Sequence, residues 1–171
     1  MSKCLIIYYS RKGENYLNGS IQNLEKGNTQ IVVDTISKAI DVDTFEVKTV
    51  KEYSKDYTSC TNEASLELKN NERPQLKEYL TDISKYDSII IAGPCWWGTY
   101  PMAIFSQLDK LDFNGKKIFP IMTHEGSGLG SSIQDLKKVC SGAVINQGLA
   151  IRGNNVHDSK TINDWIDTYL K

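Results

Sequence analysis

The sequence predicts an α/β domain in which helices cover both faces of a parallel sheet. Short apolar runs alternate along the chain with segments whose apolar residues recur at helical spacing. Residues 89–92 are apolar at every position, which is typical of a strand buried on both faces. With 171 residues, the chain is long enough to build a substantial core, and we expect a single domain over residues 1–171.

Five strands and five helices are predicted in alternation, as in a doubly wound fold. The strands are expected at residues 4–9, 44–50, 88–93, 117–122 and 143–151. Helical spacing of apolar residues predicts the helices at 31–40, 76–83, 102–111, 133–140 and 162–170. The polar stretch 52–73 is the least patterned part of the chain, and we expect a further helix within it near 62–70.

Composition and charge argue against several classes of protein. The net charge is −1 and no basic stripe carries interleaved aromatic residues, so we expect no nucleic-acid partner. The apolar run near the N-terminus is too short for a signal-peptide core or a membrane span, so we expect a cytoplasmic protein with no membrane partner. The four cysteines and two histidines lack metal-ligand spacing, and we expect no metal site.

The connection after the first predicted strand has the composition of a phosphate-binding turn. In a doubly wound fold, a phosphate sits in this turn against the N-terminus of the following helix. Ser10, Gly13 and the Gly27-Asn28-Thr29 run offer hydroxyls, small residues and backbone amides for such a cradle. Thr29 is equally typical of a plain helix N-cap.

The loop after the third predicted strand, Pro94 to Pro101, suits a flat aromatic ligand. Trp96 and Trp97 offer rings for stacking, and Gly98 allows close approach of the backbone to the edge of a ligand such as a flavin. The alternative is that both tryptophans are core aromatics at the end of a strand.

The loop after the fourth predicted strand is rich in glycine and serine between residues 123 and 132. This composition is typical of a loop that closely surrounds a ligand, although a simple connection is equally consistent with it. The loops after strands one, three and four share the carboxyl edge of a doubly wound sheet, so all three are expected to converge. The occurrence of all three loops together is a more specific sign of a ligand site than any one of them alone.

These motifs give the chain a resemblance to the flavodoxins over essentially its whole length. The matching motifs are Tyr-Tyr-Ser at the first strand end, Gly-Asn-Thr before the first helix, Gly-Pro-x-Trp-Trp-Gly-Thr, and Thr-x-x-Gly-Ser-Gly-Leu-Gly-Ser. The resemblance implies a flavodoxin-like three-layer α/β/α sandwich whose five-stranded parallel sheet has the order 2-1-3-4-5. It also implies non-covalently bound FMN at the carboxyl edge of that sheet.

The resemblance further implies a role for each loop. The phosphate would be held by Ser10, Asn28 and Thr29, with Lys12 as a charge partner. The isoalloxazine would be surrounded by the second loop, with Trp97 as the stacking ring and the Gly98 backbone near N5. The residues of that loop are Pro94, Cys95, Trp96, Trp97, Gly98, Thr99 and Tyr100. The pyrimidine end or the ribityl chain would contact Thr123, His124, Glu125, Gly126 and Ser127.

Two departures from the family pattern bear on these expectations. The phosphate loop, usually compact, is split by extra residues between Ser10 and Gly27, so residues 10–15 or 27–29 could form the main cradle. We favour Ser10 combined with 27–29. Dedicated electron carriers of the family are typically strongly acidic and often have an acidic residue after Trp-Gly, whereas this chain is nearly neutral and has Thr99 there.

The function implied by the resemblance is electron transfer through bound FMN, with redox partner proteins as donor and acceptor. No catalytic side chain is required, because the cofactor carries the chemistry. An alternative on the same fold is an NAD(P)H-dependent FMN or quinone reductase, in which His124 could donate a proton. A third interpretation is an interaction module that keeps the fold without the flavin.

Overall fold

The computed structural model describes residues 3–171, which form a parallel sheet, a separate hairpin and five α-helices. The strands are β1 (Cys4–Tyr8), β2 (Gly13–Leu17), β3 (Ser20–Leu24), β4 (Val42–Glu46), β5 (Ser88–Pro94), β6 (Lys117–His124), β7 (Val144–Ile145) and β8 (Leu149–Arg152). The helices are α1 (Asn28–Ala39), α2 (Tyr57–Lys69), α3 (Met102–Leu108), α4 (Ser132–Val139) and α5 (Ser159–Tyr169), with a short 3-10 helix at Gly153–Asn155. Within residues 3–171, none of the helices has the length and apolar character needed to cross a bilayer.

The main sheet is parallel throughout and has the order β4-β1-β5-β6, followed by β7 and β8, which both pair with β6. This arrangement is the predicted order 2-1-3-4-5 with its last strand in two pieces, and the predicted α/β fold class is confirmed. The strand order reverses between β1 and β5, so the connections that leave these two strands diverge and open a crevice at their carboxyl ends.

Both faces of the sheet are covered, which explains why its strands are continuously apolar. Ile89 and Ile91 pack into one cluster with α3 and α4, whereas Ile90 packs into the other with α1 and α5. All three side chains have no exposed surface. Because successive side chains of a strand point to opposite faces, a strand buried on both sides needs an apolar residue at every position.

The last strand is divided because β6 contains Pro120. The carbonyl of Ile118 accepts a hydrogen bond from the backbone N–H of Asn146 at 2.8 Å, so the backbone of Ile118 faces the last strand. Alternate residues of a strand face the same neighbouring strand, and Pro120 therefore faces it too. A proline has no N–H to donate to that neighbour. Pairing therefore lapses after β7 and resumes where Ile121 pairs with Leu149 in β8.

The helix predicted at 76–83 is absent, and this segment is irregular. Its periodic apolar residues are nevertheless buried, as Leu76 and Ile83 show, each 3% exposed. The buried side chain of Gln107 satisfies the backbone of Leu80, since its amide donates to the Leu80 carbonyl at 2.8 Å and its oxygen accepts from the Leu80 N–H at 2.9 Å. The helix between β4 and β5 is instead α2, which includes most of the expected 62–70 region.

The extra residues between Ser10 and Gly27 form the hairpin β2–β3. Its strands are antiparallel and are joined by Asn18 and Gly19, whose φ angles are 51° and 92°. Two consecutive left-handed residues define a type I′ turn, for which Asn-Gly is the preferred dipeptide because its twist matches that of the strands. The hairpin projects from the first β–α connection without entering the main sheet.

Candidate functional site

A cavity of about 420 Å³ lies at the carboxyl edge of the sheet, in the crevice between β1 and β5. Twelve residues predicted for the site line it: Asn28, Thr29, Pro94, Cys95, Trp96, Trp97, Gly98, Thr123, His124, Glu125, Gly126 and Ser127. The structure therefore brings the three predicted loops together around one space. Ser10, Lys12, Thr99 and Tyr100 do not line this cavity, whereas Arg11, Asn15, Tyr16 and Tyr57 line it without having been predicted.

The two halves of the split first loop meet at Gly27. A Cβ at this residue would overlap the hydroxyl of Ser10 and would lie 2.6 Å from the carbonyl oxygen of Arg11, so only glycine allows this approach. The Ser10 hydroxyl accepts a hydrogen bond from the backbone N–H of Gln30 at 3.1 Å and so caps α1 from outside the cavity. The start of α1 is thus assembled from both ends of the hairpin.

The N-terminus of α1 presents open backbone donors at the cavity. Within residues 3–171, the N–H groups of Asn28 and Thr29 donate to no protein acceptor, as is general for the first turn of a helix. The hydroxyl of Thr29 is buried and lies 2.8 Å from that of Thr123, which ties α1 to the end of β6. Open amides at the positive end of a twelve-residue helix form an anion-binding position.

Arg11, rather than Lys12, brings a positive charge to this cavity. Its guanidinium donates to backbone carbonyls only, those of Glu14 at 3.0 Å and of Ser54 at 2.9 Å being the shortest. Within the described chain, Arg11 forms no salt bridge with a carboxylate, so its charge remains available to an anionic ligand. Lys12 is exposed and lines a neighbouring cavity of about 470 Å³.

Trp97 occupies the tip of a strained turn beside the cavity. The backbones of Trp96 and Thr99 are hydrogen-bonded to each other, and φ is 56° at Trp97 and 85° at Gly98. A left-handed conformation costs a non-glycine residue about 1–2 kcal/mol. The Trp97 ring is 59% exposed, and its Nε1 donates to the carbonyl of Thr61 in α2 at 2.9 Å. The turn thus presents a large aromatic surface to the cavity and solvent.

The loop after β6 holds this turn from the other side. The carbonyl of Gly98 accepts hydrogen bonds from the backbone N–H of Ser131 at 2.7 Å and from its hydroxyl at 3.2 Å. Thr99 is buried and donates through its hydroxyl to Asp135 at 2.6 Å. A Cβ at Gly130 would overlap the Gly98 carbonyl oxygen. Thr99 therefore anchors the turn to α4, and the Gly98 carbonyl is occupied by its hydrogen bonds to Ser131.

Trp96 and Tyr100 have different surroundings. Trp96 is half-buried and makes edge-on contacts with the rings of Tyr9, at 5.2 Å, and Tyr53, at 5.0 Å between centroids. Tyr100 is fully buried, and its hydroxyl lies 2.9 Å from the carbonyls of Ile91 and Ile121. Tyr100 is therefore part of the core where β5 and β6 pair, and it neither lines the cavity nor covers it.

His124 organises the third loop. Its Nδ1 accepts hydrogen bonds from the backbone N–H groups of Gly126 at 2.9 Å and Gly128 at 3.2 Å, which requires the neutral ring with its proton on Nε2. Desolvation and, next, the charge of Arg152 hold the pKa of His124 below its usual value. A neutral imidazole at neutral pH keeps this glycine-rich loop folded against the cavity.

The hairpin forms one wall of the cavity, through Asn15 and Tyr16. The ring of Tyr16 stacks on that of Tyr57, with centroids 6.4 Å apart, and the carboxylate of Glu14 accepts a hydrogen bond from the backbone N–H of Tyr57 at 2.7 Å. The sequence signal for this wall is the dipeptide Asn-Gly at 18–19, which lies between two five-residue strands. Nothing comparable identified Tyr57, which begins α2.

The described residues 3–171 contain no group of three His, Cys, Asp or Glu side chains that could hold a metal ion. Cys60, on α2, is buried, and desolvation raises the pKa of its thiol to about 11. A thiol of such high pKa is almost entirely protonated at neutral pH and is a poor nucleophile.

Solved structures share this fold. A candidate flavoprotein from Bacteroides eggerthii superposes with a TM-score of 0.78 at 24% identity, covering 100% of this chain and 99% of its own. A flavoprotein from Lactobacillus acidophilus in complex with FMN has a TM-score of 0.66 at 20% identity, covering 94% and 99%. A flavodoxin from Fusobacterium nucleatum bound to flavin mononucleotide has a TM-score of 0.54 at 18% identity, covering 98% and 96%.

At these identities, the structural likenesses establish the fold alone. No curated protein sequence matches the chain. A family model described as flavodoxin matches residues 22–169, which runs from the hairpin to the last helix. That match spans most of the chain, so the chain belongs to the flavodoxin family.

Proposed function

We propose that the cavity binds FMN non-covalently and that the protein transfers electrons through it. The observation that carries this proposal is the convergence, around one cavity, of an open helix N-terminus, an uncompensated guanidinium and an exposed tryptophan. The volume of about 420 Å³ lies within the range of small-molecule and cofactor pockets. Each of the three features suits a different part of FMN.

The anionic end of the ligand fits the start of α1. The open N–H groups of Asn28 and Thr29 lie at the N-terminus of α1, where a bound phosphate is favoured. Arg11 adds a full positive charge at the same cavity. Amide donors and a guanidinium together form charge-assisted hydrogen bonds, which are about twice as strong as neutral ones.

The aromatic end of the ligand fits the turn at Trp97 and Gly98. The exposed indole offers a stacking face, and the hydrogen bond from its Nε1 to Thr61 limits its rotation. Bound FMN would supply one- and two-electron redox chemistry. The chain's own residues position the ring and exclude water from one face, and the exposed tryptophan leaves an edge for a redox partner to approach.

The test is an absorbance and fluorescence titration of the protein with FMN and with riboflavin, which lacks the phosphate. We expect Arg11→Met to weaken FMN binding about 10- to 100-fold, because a hydrogen bond to a charged group contributes about 1.5–3 kcal/mol. Riboflavin binding should fall much less, because riboflavin lacks the phosphate and responds only to the loss of the Arg11 hydrogen bonds to the Glu14 and Ser54 carbonyls. Lys12→Met is the matched control and should leave the affinity for FMN within a factor of about three, since Lys12, unlike Arg11, does not line the main cavity.

The absence of flavin binding by the wild-type protein would refute the proposal and would favour the flavin-free interaction module. An equal effect of Lys12→Met and Arg11→Met would show that the phosphate position has been assigned to the wrong part of the first loop.

A second candidate function is an NAD(P)H-dependent flavin or quinone reductase. It is favoured by an adjoining cavity of about 400 Å³, which shares Trp96, Trp97 and Tyr57 with the first and extends to Cys60 and Ala64 in α2. A flat apolar acceptor would fit beside a flavin there. Anaerobic addition of NADPH to the flavin-loaded protein distinguishes the two functions, since rapid bleaching without a partner protein indicates a reductase and a stable oxidised spectrum indicates a carrier.

A further inference from the structure

Three side chains in contact lead away from the wall of the main cavity. Trp96 lines that cavity, and its ring makes an edge-on contact with the ring of Tyr53, with 5.0 Å between centroids. The hydroxyl of Tyr53 donates to the carboxylate of Glu67, in α2, at 2.6 Å. Tyr53 also lines the neighbouring cavity of about 470 Å³. An indole, a phenol and a carboxylate therefore follow one another in that order.

The hydrogen bond between Tyr53 and Glu67 is suited to the transfer of a proton. Its length is typical of an O–H that donates to an ionised oxygen. Desolvation raises the pKa of the Glu67 carboxyl, which makes its carboxylate a better base. Desolvation also raises the pKa of Tyr53, so its phenol is protonated at neutral pH. Such a phenol can lose an electron and a proton together, which avoids leaving an unpaired positive charge on a half-buried ring.

Tyr9 offers the same ring contact without the proton acceptor. Its ring lies edge-on to that of Trp96, with 5.2 Å between centroids. Among the residues that the structure describes, no carboxylate accepts a hydrogen bond from the Tyr9 hydroxyl, and this side chain is 8% exposed. Oxidation of Tyr9 would release a proton with no base in contact to receive it, so an electron is drawn more easily from Tyr53.

We propose that Trp96, Tyr53 and Glu67 form a relay that removes oxidising equivalents from the wall of the main cavity. A small radical that acts as a one-electron oxidant at the cavity takes an electron from Trp96 and leaves an indole radical cation. Tyr53 then gives an electron to this indole while its hydroxyl proton passes to Glu67, which leaves a neutral phenoxyl radical and a protonated carboxyl. An electron from a thiolate in solution, together with the proton returned by Glu67, restores the phenol. The relay goes beyond the proposed function and does not depend on a bound flavin.

The experiment is pulse radiolysis of the full chain without added flavin. The oxidant is the azide radical, which removes one electron from tryptophan in preference to tyrosine. Trp97 is the most exposed of the three tryptophans, so Trp97→Phe serves as the reference protein. Trp165 is 6% exposed and belongs to the core cluster on the other face of the sheet. Adding Trp96→Phe to the reference protein measures what Trp165 contributes.

Transient absorption follows the decay of the indole radical and the growth of the phenoxyl radical. In the reference protein, we expect the two to match, at a rate that is independent of protein concentration and lower in D2O. Tyr53→Phe should abolish the matched growth. Glu67→Gln keeps a hydrogen-bond acceptor for Tyr53 but removes the base, and it should slow the step about a hundredfold.

Tyr86→Phe is the matched control. The Tyr86 hydroxyl also donates to a carboxylate at 2.6 Å, that of Asp43, but Tyr86 precedes β5 whereas Trp96 follows it, so the two lie at opposite ends of this strand. Tyr86→Phe should therefore leave the rate unchanged. Far-ultraviolet circular dichroism checks that each variant is folded.

Three results would overturn the relay. An unchanged rate in Glu67→Gln would show that this carboxylate does not accept the proton. Loss of phenoxyl growth in Tyr9→Phe, with growth retained in Tyr53→Phe, would show that the electron comes from the other tyrosine. A reference protein without concentration-independent phenoxyl growth would show that no electron passes from a tyrosine to Trp96.

Discussion

Replacing Gly130 with alanine should disturb the Trp97 turn from across the site. Gly130 has a φ of 52°, and a Cβ there would lie 2.8 Å from the carbonyl carbon of Gly98 and still closer to its oxygen. Both atoms belong to backbone that Ser131 fixes by two hydrogen bonds, so neither can rotate away as a flexible side chain would. The strain must therefore be relieved by moving the glycine-rich loop or the turn.

The expected magnitude has two parts. An alanine held in the left-handed region costs about 1–2 kcal/mol. Forced overlap in a packed region adds about 1–3 kcal/mol. Together they should lower the free energy of unfolding by about 3 kcal/mol, and displacement of the turn should weaken flavin binding about tenfold or more.

Gly128 provides a matched control in the same loop. Its φ is 61°, but a Cβ there would meet no atom within 4 Å. Gly128→Ala should therefore show only the backbone cost, about 1–2 kcal/mol, with little change in affinity. Urea unfolding gives the stability of both variants, and quenching of flavin fluorescence gives their affinity. Equal losses of stability and affinity in the two variants would show that contact between the loop and the turn does not govern the site.

Three further predictions concern the core and the third loop. Gln107→Leu should lower the free energy of unfolding by about 2–4 kcal/mol, because the N–H and carbonyl of Leu80 both lose their buried partner; a urea midpoint equal to that of the wild type would contradict this. Tyr100→Phe should lower the free energy of unfolding by about 1 kcal/mol and leave flavin affinity unchanged, since its hydroxyl bonds to carbonyls of β5 and β6 and does not line the cavity. A large loss of affinity at constant stability would show that Tyr100 contacts the ligand. The pKa of His124 is lowered by desolvation and Arg152, so the unfolded state binds more protons and stability should fall as the pH drops below about 6.5. This fall should be smaller in His124→Asn, whose amide oxygen can accept the same backbone hydrogen bonds without being protonated, and urea unfolding at pH 7.5 and 5.5 compares the two.

The sequence predicted the sheet well because burial on both faces leaves a direct mark on composition. The runs around β1, β5 and β6 are apolar at nearly every position, and the structure places all three in the centre of the sheet. The segment 76–83 misled the same reasoning. Its apolar spacing reflects burial against the core, but the hydrogen bonds that decide its backbone conformation come from Gln107, far along the chain. A hydrogen-bond partner so far away in the sequence leaves no periodic pattern in the segment 76–83 itself.

The three loops that the sequence predicted for the site line one cavity in the structure, and the cation that lines it is Arg11 rather than Lys12. Arg11 and Lys12 are neighbours after the first strand, and sequence gives no means of choosing between them when the backbone leaves the sheet. The position of the Arg11 guanidinium depends on carbonyls at Ser54 and Lys55, more than forty residues away, to which it donates hydrogen bonds. Tyr57 reaches the same cavity only because α2 begins there, capped by Glu14 from the hairpin.

The hairpin connects the loop after β6 with the start of α2. Its tip is hydrogen-bonded to Glu125 in the loop after β6, and its Tyr16 ring stacks on Tyr57 at the start of α2. Glu125, Tyr57 and Tyr16 all line the main cavity. A displacement of the hairpin would therefore move two walls of the cavity at once.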